Sequence, residues 1–270
     1  MPPRRRSALL ARLVVDSPGR PQIILGELRR VILDGAVPPG TVIPLREVAE
    51  LFGVSHIPVR EALKTLIGEA LVTHRPHSGY TVAQLTAEEL REMYIVRQTL
   101  EKASLAAAVR NATDADRTAL CEVDSRLEQA IRDDDPIAYQ RCSREFHLAM
   151  TRPSRMFRLL HLLESAWNVT EPVQSMVHVA RADRALLHTD HALMLAAFRA
   201  RDIDRLLLLA DRHHRRLEAV IATLPTDTGL LAPTIDISFA QSPGDDRATH
   251  RQSVLPTVGP SPPHLGSDPP

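Results

Sequence analysis

The sequence predicts a mainly α-helical protein, in which a helix-turn-helix unit with a small β-hairpin precedes an all-helical bundle. Residues 45–84 have the pattern of two short helices separated by a glycine, followed by two short strands. Beyond Thr86 the apolar positions recur at helical spacing, with almost none of the alternation that strands show. We therefore expect four parts: a basic arm over 1–17, a first domain over 18–85, a helical domain over 86–223 and a tail over 224–270.

Composition narrows the classes of protein to which this chain can belong. It has 270 residues, 44% of them apolar, and 33 basic against 33 acidic residues. Residues 1–80 hold eleven Arg or Lys against seven Asp or Glu, a mild basic excess that suits a nucleic-acid partner. No apolar run reaches the roughly 18–20 residues of a membrane span, so we expect no membrane partner. Cys121 and Cys142 lie in helix-like patterns, which predicts a reducing, cytoplasmic location without disulfides.

The N-terminal arm, MPPRRRSALLARLVVDSPG, is basic and partly apolar. Arg12 interrupts its apolar stretch and no clear small-residue cleavage site follows, so the pattern does not favour a signal peptide. We expect instead a flexible basic arm that adds contacts to phosphates.

The first domain is predicted from helical spacing and from turn residues. Apolar residues recur at helical spacing from Ile23 onward, Gly53 is placed to end a second helix, and Pro58 suits the first turn of a third. The segment PHSG separates two strand-like runs and is typical of a hairpin. The predicted elements are helices at about 21–34, 45–52 and 57–69, and strands at 71–75 and 80–84.

The second domain is predicted to be entirely helical. Thr86 with Glu89, and Thr113 with Asp116, have the spacing of capping boxes. The predicted helices lie at about 86–110, 114–132, 136–151, 155–169, 183–200 and 203–222. After Leu224 the chain holds nine prolines in 46 residues, which predicts a disordered tail.

The residues of the helix-turn-helix pattern are typical of a unit that binds DNA. Ala49 is small enough for two helices to cross closely, and Gly53 tolerates a positive φ in the turn. The residues expected to face inward are Val48, Leu51, Val54, Val59 and Leu63. The polar residues expected to face DNA are Arg46, Ser55, His56, Arg60 and Lys64. The alternative is a short helical hairpin whose arginines are only solvated.

The motif GxxIPLREVAELFGVSxxPVREALxxLxxEALV…HSGYxV resembles the winged helix-turn-helix of the GntR family of bacterial transcription regulators. The resemblance covers about residues 18–84. It implies that Arg46, Ser55, His56 and Arg60 contact DNA, together with the wing near His77 and Gly79. The family usually has arginine where this chain has His56, and histidine is shorter and largely neutral at pH 7. The exchange predicts weaker affinity or a different operator preference, without loss of binding.

Three histidines are spaced so that a helical fold can bring them together. Ser143 and His147 lie four residues apart on one predicted helix face. His191 and His213 lie eleven residues on either side of a turn near Asp202, so an antiparallel helix pair places them opposite each other. Converging imidazoles suit a divalent metal such as zinc, nickel or manganese. The alternative is a set of surface or core histidines, because His161, His178, His188 and His214 allow similar readings.

Residues from about 90 to 220 resemble the all-helical FCD domain of the FadR subfamily, the usual ligand-sensing partner of this winged helix. That resemblance implies a metal held by an Asp or Asn and three histidines, and an effector that is a small carboxylate. His147, His191 and His213 match, but Ser143 stands at the Asp or Asn position. Either three histidines suffice, with water or the effector completing the shell, or the cavity holds no metal.

Arg97 lies in the segment YIVRQTLE, which resembles the family's E/RxRxxLE stretch, and it is the candidate for binding the effector. The alternative for Arg97 is a surface ion pair with Glu101, four residues further along the helix. The sequence alone leaves both possibilities open.

The resemblance implies a homodimeric, effector-responsive transcription regulator, usually a repressor, that binds a pseudo-palindromic operator. A metal-dependent enzyme is disfavoured, because the chain has no HExxH motif, no nucleophile with a base and no Gly-rich phosphate loop. A nucleoid-type DNA binder without an effector is the other alternative, and it leaves the helical domain without a role.

Overall fold

The computed structural model describes residues 8–15, 21–76, 79–223 and 231–232, and it confirms the mainly α-helical class. The first domain contains α1 (Pro21–Leu33), β1 (Val42–Ile43), α2 (Leu45–Phe52), α3 (His56–Gly68), β2 (Val72–Arg75) and β3 (Gly79–Val82). The second contains α4 (Ala87–Asn111), α5 (Asp114–Arg132), α6 (Pro136–Thr151), α7 (Phe157–Thr170), α8 (Arg181–Ala200) and α9 (Ile203–Ile221).

The turn between α2 and α3 depends on Gly53, which ends α2 in the left-handed conformation at φ 65°. Glycine adopts this conformation without a steric penalty. The prediction that Leu51 faces inward is wrong, because Leu51 is 36% exposed and Phe52 is fully buried. Phe52 lies four residues after the buried Val48, so these two share the face of α2 that packs on the core.

The predicted hairpin is present, but it belongs to a three-stranded antiparallel sheet in the order β1-β3-β2. Val42 pairs with Thr81, and Val72 pairs with Val82. The additional strand, β1, has only two residues, too few for an alternating pattern to be visible in the sequence.

Part of the N-terminal arm packs against the first domain. Leu9 is fully buried and Leu13 is 9% exposed within the same core as α1 and α3. The backbone N–H of Val14 donates to Glu27 Oε1 at 2.6 Å. Residues 8–15 are therefore held by apolar contacts that basic composition did not reveal, whereas 1–7 and 16–20 lie outside the described residues.

The helical domain is built from neighbouring helix pairs. α4 packs against α7 and α9, α5 against α6 and α8, and α8 against α9. Both predicted capping boxes, at the starts of α4 and α5, are formed. Apart from Leu231 and Ala232, the predicted tail lies outside the described residues. Among the described helices, none is both long and apolar enough to cross a membrane.

The two domains touch where α1 ends. Gly35 has φ +62°, and a Cβ built on it would lie 2.3 Å from Cγ of Gln174. The 3-10 helix Glu171–Val173, which immediately precedes Gln174, packs against α1. A side chain at position 35 is thus disfavoured both by its backbone conformation and by a neighbour from the other domain.

Replacement of Gly35 by alanine is expected to destabilise the protein through two separable effects. The left-handed backbone costs a non-glycine residue about 1–2 kcal/mol, and the new methyl group displaces Gln174. Urea denaturation of Gly35→Ala, Gln174→Ala and the double variant separates them, because only the second effect depends on Gln174. Equal losses from Gly35→Ala in both backgrounds would contradict the contact.

Gly26 provides the matched control, since it lies within α1 and a Cβ built there meets no atom within 4 Å. Gly26→Ala is expected to leave stability unchanged or to raise it by up to about 1 kcal/mol, because alanine favours the helix.

Candidate DNA-binding surface and histidine cavity

The start of α3 presents an exposed polar surface. Ser55, His56, Arg60 and Lys64 are exposed there, and Arg46 is exposed on α2. Ser55 precedes the first turn of α3 without a side-chain capping hydrogen bond. Its hydroxyl, together with the N–H groups of the first turn, is available to an anion such as phosphate.

The basic residues on this surface differ in their partners. Arg46 Nε donates to Glu50 Oε1 at 2.9 Å, and Lys64 Nζ donates to Glu61 Oε1 at 2.9 Å. Arg60 forms no ion pair with any other residue in the described part of the chain. Arg60 is therefore the cation on α3 that can bind a new partner without first leaving an acidic neighbour.

The wing contributes Gly79, whose φ is +79° and whose missing side chain faces open space. The ring of His74 on β2 lies 4.5 Å from that of Tyr80 on β3. His77, the other residue predicted in the wing, lies outside the described residues.

The structure brings the three predicted histidines together inside the helical domain. His147 comes from α6, His191 from α8 and His213 from α9. One ring nitrogen from each lies within 4.8 Å of those of the other two. The Nε2 atoms of His147 and His191 are 3.2 Å apart. Their convergence depends on the antiparallel pairing of α8 and α9.

Burial keeps these histidines in the form that binds metal. It lowers the pKa of His147 and lowers the pKa values of His191 and His213 well below the usual range, because a charged imidazole is desolvated there. Within the described chain, Nδ1 of His191 and Nδ1 of His213 have no hydrogen-bond partner. Buried polar atoms without partners are rare, and neutral imidazoles are common ligands of transition metals. The three side chains therefore fit a divalent metal ion.

Glu101 and His214 belong to the same cluster, although the sequence did not predict it. Glu101 Oε2 accepts a hydrogen bond from His147 Nδ1 at 2.8 Å and lies 3.2 Å from His214 Nε2. Burial disfavours a charged carboxylate, yet the contacts with His147 and His214 hold the pKa of Glu101 well below its usual range. The sequence signal was only a helical spacing of four from Arg97, which suggested a different partner for Glu101.

Arg97 and Ser143 line a cavity that also reaches His191 and His213. Arg97 is only 2% exposed and donates from Nη1 to Thr170 Oγ1 at 3.3 Å. Its guanidinium carbon lies 3.1 Å from the centre of the Trp167 ring. Arg97 is therefore buried and does not form the surface ion pair with Glu101 that was the alternative. Glu101 contacts His147 and His214 instead.

The cavity wall includes a second acidic residue, Glu171. Burial raises the pKa of Glu171 to about 7, although Arg144 and Arg97 oppose the shift. Glu171 also lines the cleft beside α1, close to Asp34. One side chain therefore borders both the cavity and the contact between the two domains.

The other histidines of the helical domain lie outside the triad. His161 and His178 are exposed, and His188 is half-buried with its ring 6.5 Å from that of His191. In the sequence, their spacing resembled that of the candidate ligands. They lie on α7, on α8 and on the 3-10 helix Ser175–His178, and they do not join the cluster of three histidines.

Comparison with known proteins finds two family matches along the chain. Residues 22–82 match the gntR family of bacterial regulatory proteins, and residues 92–216 match the FCD domain. The chain is 30% identical over 178 residues to the HTH-type transcriptional regulator McbR of Escherichia coli (strain K12), covering 65% of this chain and 80% of that protein.

One further relative and one solved structure are informative. Over 192 residues the chain is 28% identical to the gluconate operon transcriptional repressor of Bacillus licheniformis, covering 67% of this chain and 76% of that protein. The solved structure of E. coli McbR/YncC is similar with a TM-score of 0.66 and 26% identity, covering 75% of this chain and 96% of that one. The chain therefore belongs to the gntR family, in the FadR-like group that carries an FCD domain, and is a DNA-binding transcription regulator and not an enzyme.

Proposed function

We propose that the protein is a homodimeric repressor whose binding to a pseudo-palindromic operator is controlled by a small carboxylate. The effector and a divalent metal ion occupy the histidine cavity of the helical domain. The observation that carries the proposal is the burial of three converging imidazoles, two of which line a cavity together with Arg97, in a chain whose helix α3 begins with exposed polar side chains.

The DNA contacts proposed for α3 follow from exposure and charge. Arg60 is the residue proposed to bind a guanine or a phosphate, because its guanidinium is exposed and unpaired within the described residues. Arg46, Ser55, His56 and Lys64 are the other proposed contacts, with His77 and Gly79 in the wing. A two-fold dimer presents two matched α3 helices, which is why the operator is proposed to be pseudo-palindromic.

Repression is proposed from the relatives. One of them is named as the repressor of a gluconate operon, and gluconate is a small carboxylate. The name supports both the sign of regulation and the chemical class of the effector proposed here.

The metal is proposed to be held by His147, His191 and His213. Bound there, zinc, nickel or manganese supplies a positive charge and an open coordination position. Ser143 stands where the family has Asp or Asn, and a neutral hydroxyl is a poor ligand for a divalent ion. Water or the carboxylate of the effector is therefore proposed to complete the shell.

Arg97 is proposed to bind the effector carboxylate. Its Nε has no partner in the described part of the chain, and its side chain stacks on Trp167 inside the cavity. A guanidinium held by an aromatic ring presents its N–H groups at a fixed edge, which favours a bidentate contact with a carboxylate.

The signal is proposed to pass through the end of α7 and the segment that follows it. Thr170 contacts Arg97 in the cavity, Glu171 lines both the cavity and the interdomain cleft, and Gln174 lies against Gly35. A ligand that moves Arg97 thereby acts on the contact with α1. Coupling energies of this kind are typically about 1–3 kcal/mol.

The assignment of Arg60 is tested by DNA binding. A short palindrome from the region upstream of the protein's own gene is expected to shift with wild-type protein at moderate salt and not with Arg60→Ala, since a bidentate base contact is worth about 1–3 kcal/mol. Arg132→Ala, which removes the same charge from an exposed position on α5, is the control and is expected to bind normally. Retention of the shift by Arg60→Ala would refute the assignment.

The sensor is tested by metal analysis combined with thermal unfolding. Purified protein is expected to contain about one divalent ion per chain, and a chelator is expected to lower Tm because the ion binds only the folded state. Acetate, lactate, gluconate and citrate are screened with and without chelator. At least one is expected to raise the Tm of wild-type protein but not that of Arg97→Met, which keeps an unbranched apolar side chain but removes the guanidinium and its charge.

Absence of metal, together with indifference of Tm to chelator and to all four acids, would contradict the proposed sensor. That outcome would favour a DNA-binding protein without an effector. His213→Ala is the control for the metal, and it is expected to lose the bound ion while retaining the shift of the palindrome.

The role of Glu171 predicts a distinct dependence of stability on pH. The pKa of Glu171 is about 7 when folded against an ordinary value of 4.5, so between these values the folded state holds a proton that the unfolded state has lost. The contribution of Glu171 to the free energy of unfolding therefore falls as pH rises from 4.5 to 7, and it does not change further above pH 7. Glu171→Gln removes that slope, and its stability relative to wild type is expected to rise by up to about 3 kcal/mol across the window. Parallel profiles from urea denaturation would contradict the buried position of the carboxyl group.

A further inference from the structure

We propose that Glu101 positions His147 as a metal ligand and supplies, from α4, the negative charge that Ser143 does not supply from α6. The inference rests on the metal site proposed above. It assigns to Glu101 a role through His147 and not a direct bond to the ion.

The geometry fixes which nitrogen of His147 is free. Its Nδ1 lies 2.8 Å from Glu101 Oε2, and an ionised carboxylate only accepts hydrogen bonds. With His147 as the donor of this hydrogen bond, Nδ1 carries the proton and the lone pair remains on Nε2. That Nε2 faces His191, with 3.2 Å between the two Nε2 atoms. The carboxylate thus aims the free lone pair into the cluster.

His214 holds Glu101 in this position. Its Nε2 lies 3.2 Å from the same oxygen, Glu101 Oε2, and its side chain is only 5% exposed. The carboxylate of Glu101, on α4, therefore lies between His147 on α6 and His214 on α9. By contrast, Nδ1 of His191 and Nδ1 of His213 lack partners among the described residues. Within that part of the chain, His147 is the triad member oriented by a carboxylate.

Charge gives the second argument. Three neutral imidazoles leave the two positive charges of a divalent ion uncompensated in a desolvated site. Ser143 lines the cavity but has no charge to offer. Glu101 is 2% exposed and touches one of the three candidate ligands directly. A carboxylate that accepts a hydrogen bond from a coordinating histidine raises the basicity of that ligand and orients its ring.

A purely structural pair between Glu101 and His147 is the competing explanation. The variant Glu101→Gln separates the two, because an amide oxygen still accepts the hydrogen bond from Nδ1 but carries no charge. A structural pair predicts an unchanged metal affinity in this variant. Charge compensation predicts a loss, and it predicts that a new carboxylate at position 143 restores the affinity.

The test is a titration of metal-free, full-length protein with Co²⁺ against a competing chelator, following the visible absorption of the bound ion. Glu101→Gln is expected to bind Co²⁺ about 10- to 100-fold more weakly than wild type. Glu101→Gln combined with Ser143→Asp is expected to recover most of that loss. Glu164→Gln is the control, because Glu164 is an exposed acid on α7 that does not line the cavity. It is expected to bind as wild type does.

The outcomes distinguish the two proposals. Wild-type protein that binds no Co²⁺ would overturn the metal site itself. Equal affinity of wild type and Glu101→Gln would overturn only the role of Glu101. Should Glu101→Gln fail to fold, nitrogen-15 NMR of wild-type His147, assigned by comparison with His147→Ala, tests the same geometry. A proton on Nδ1 supports the proposal, and a proton on Nε2 contradicts it.

Discussion

The helical domain depends on burying polar side chains in one connected core. His147, His191 and His213 come from three helices, and Glu101 and Arg97 come from a fourth. A buried charge without partners is strongly destabilising. Glu101 Oε2 is paired only when α6 and α9 present histidines to it. Arg97 contacts Thr170 and Trp167 only when α7 packs against α4. The residues of the candidate sensor therefore also specify how the helices meet.

The segment that follows α7 connects the cavity to the DNA-binding domain. α7 ends in the cavity wall at Thr170, and the chain continues at once into the 3-10 helix that packs on α1. Gly35 allows this close approach because any larger residue would meet Gln174. A tightly packed contact transmits small displacements more effectively than a solvated linker does. The DNA-binding domain is thus attached to the wall that surrounds the candidate effector.

The sequence predicted the features that rest on periodicity and local signals. The helices, both capping boxes and the pairing of α8 with α9 follow from spacing and turn residues, and the structure has them. Other features depend on tertiary contacts and were missed. Phe52 replaces Leu51 in the core because the packing of α1 and α3 selects the face of α2. Glu101 and His214 converge from α4 and α9, which are distant in the sequence, so no spacing rule relates them.

The position of negative charge in the proposed site bears on how it senses an anion. A carboxylate at position 143 would neutralise part of the ion's charge from within the coordination shell, whereas Ser143 leaves that position neutral. Glu101 acts one imidazole further away, through His147. A divalent ion held by the three histidines would then present more of its positive charge toward the cavity, where Arg97 adds another positive charge. In the proposed site the compensating negative charge lies on α4, at Glu101, and not on α6, at position 143. This placement favours an anionic effector in the cavity, because Glu101 is separated from the proposed ion by the ring of His147.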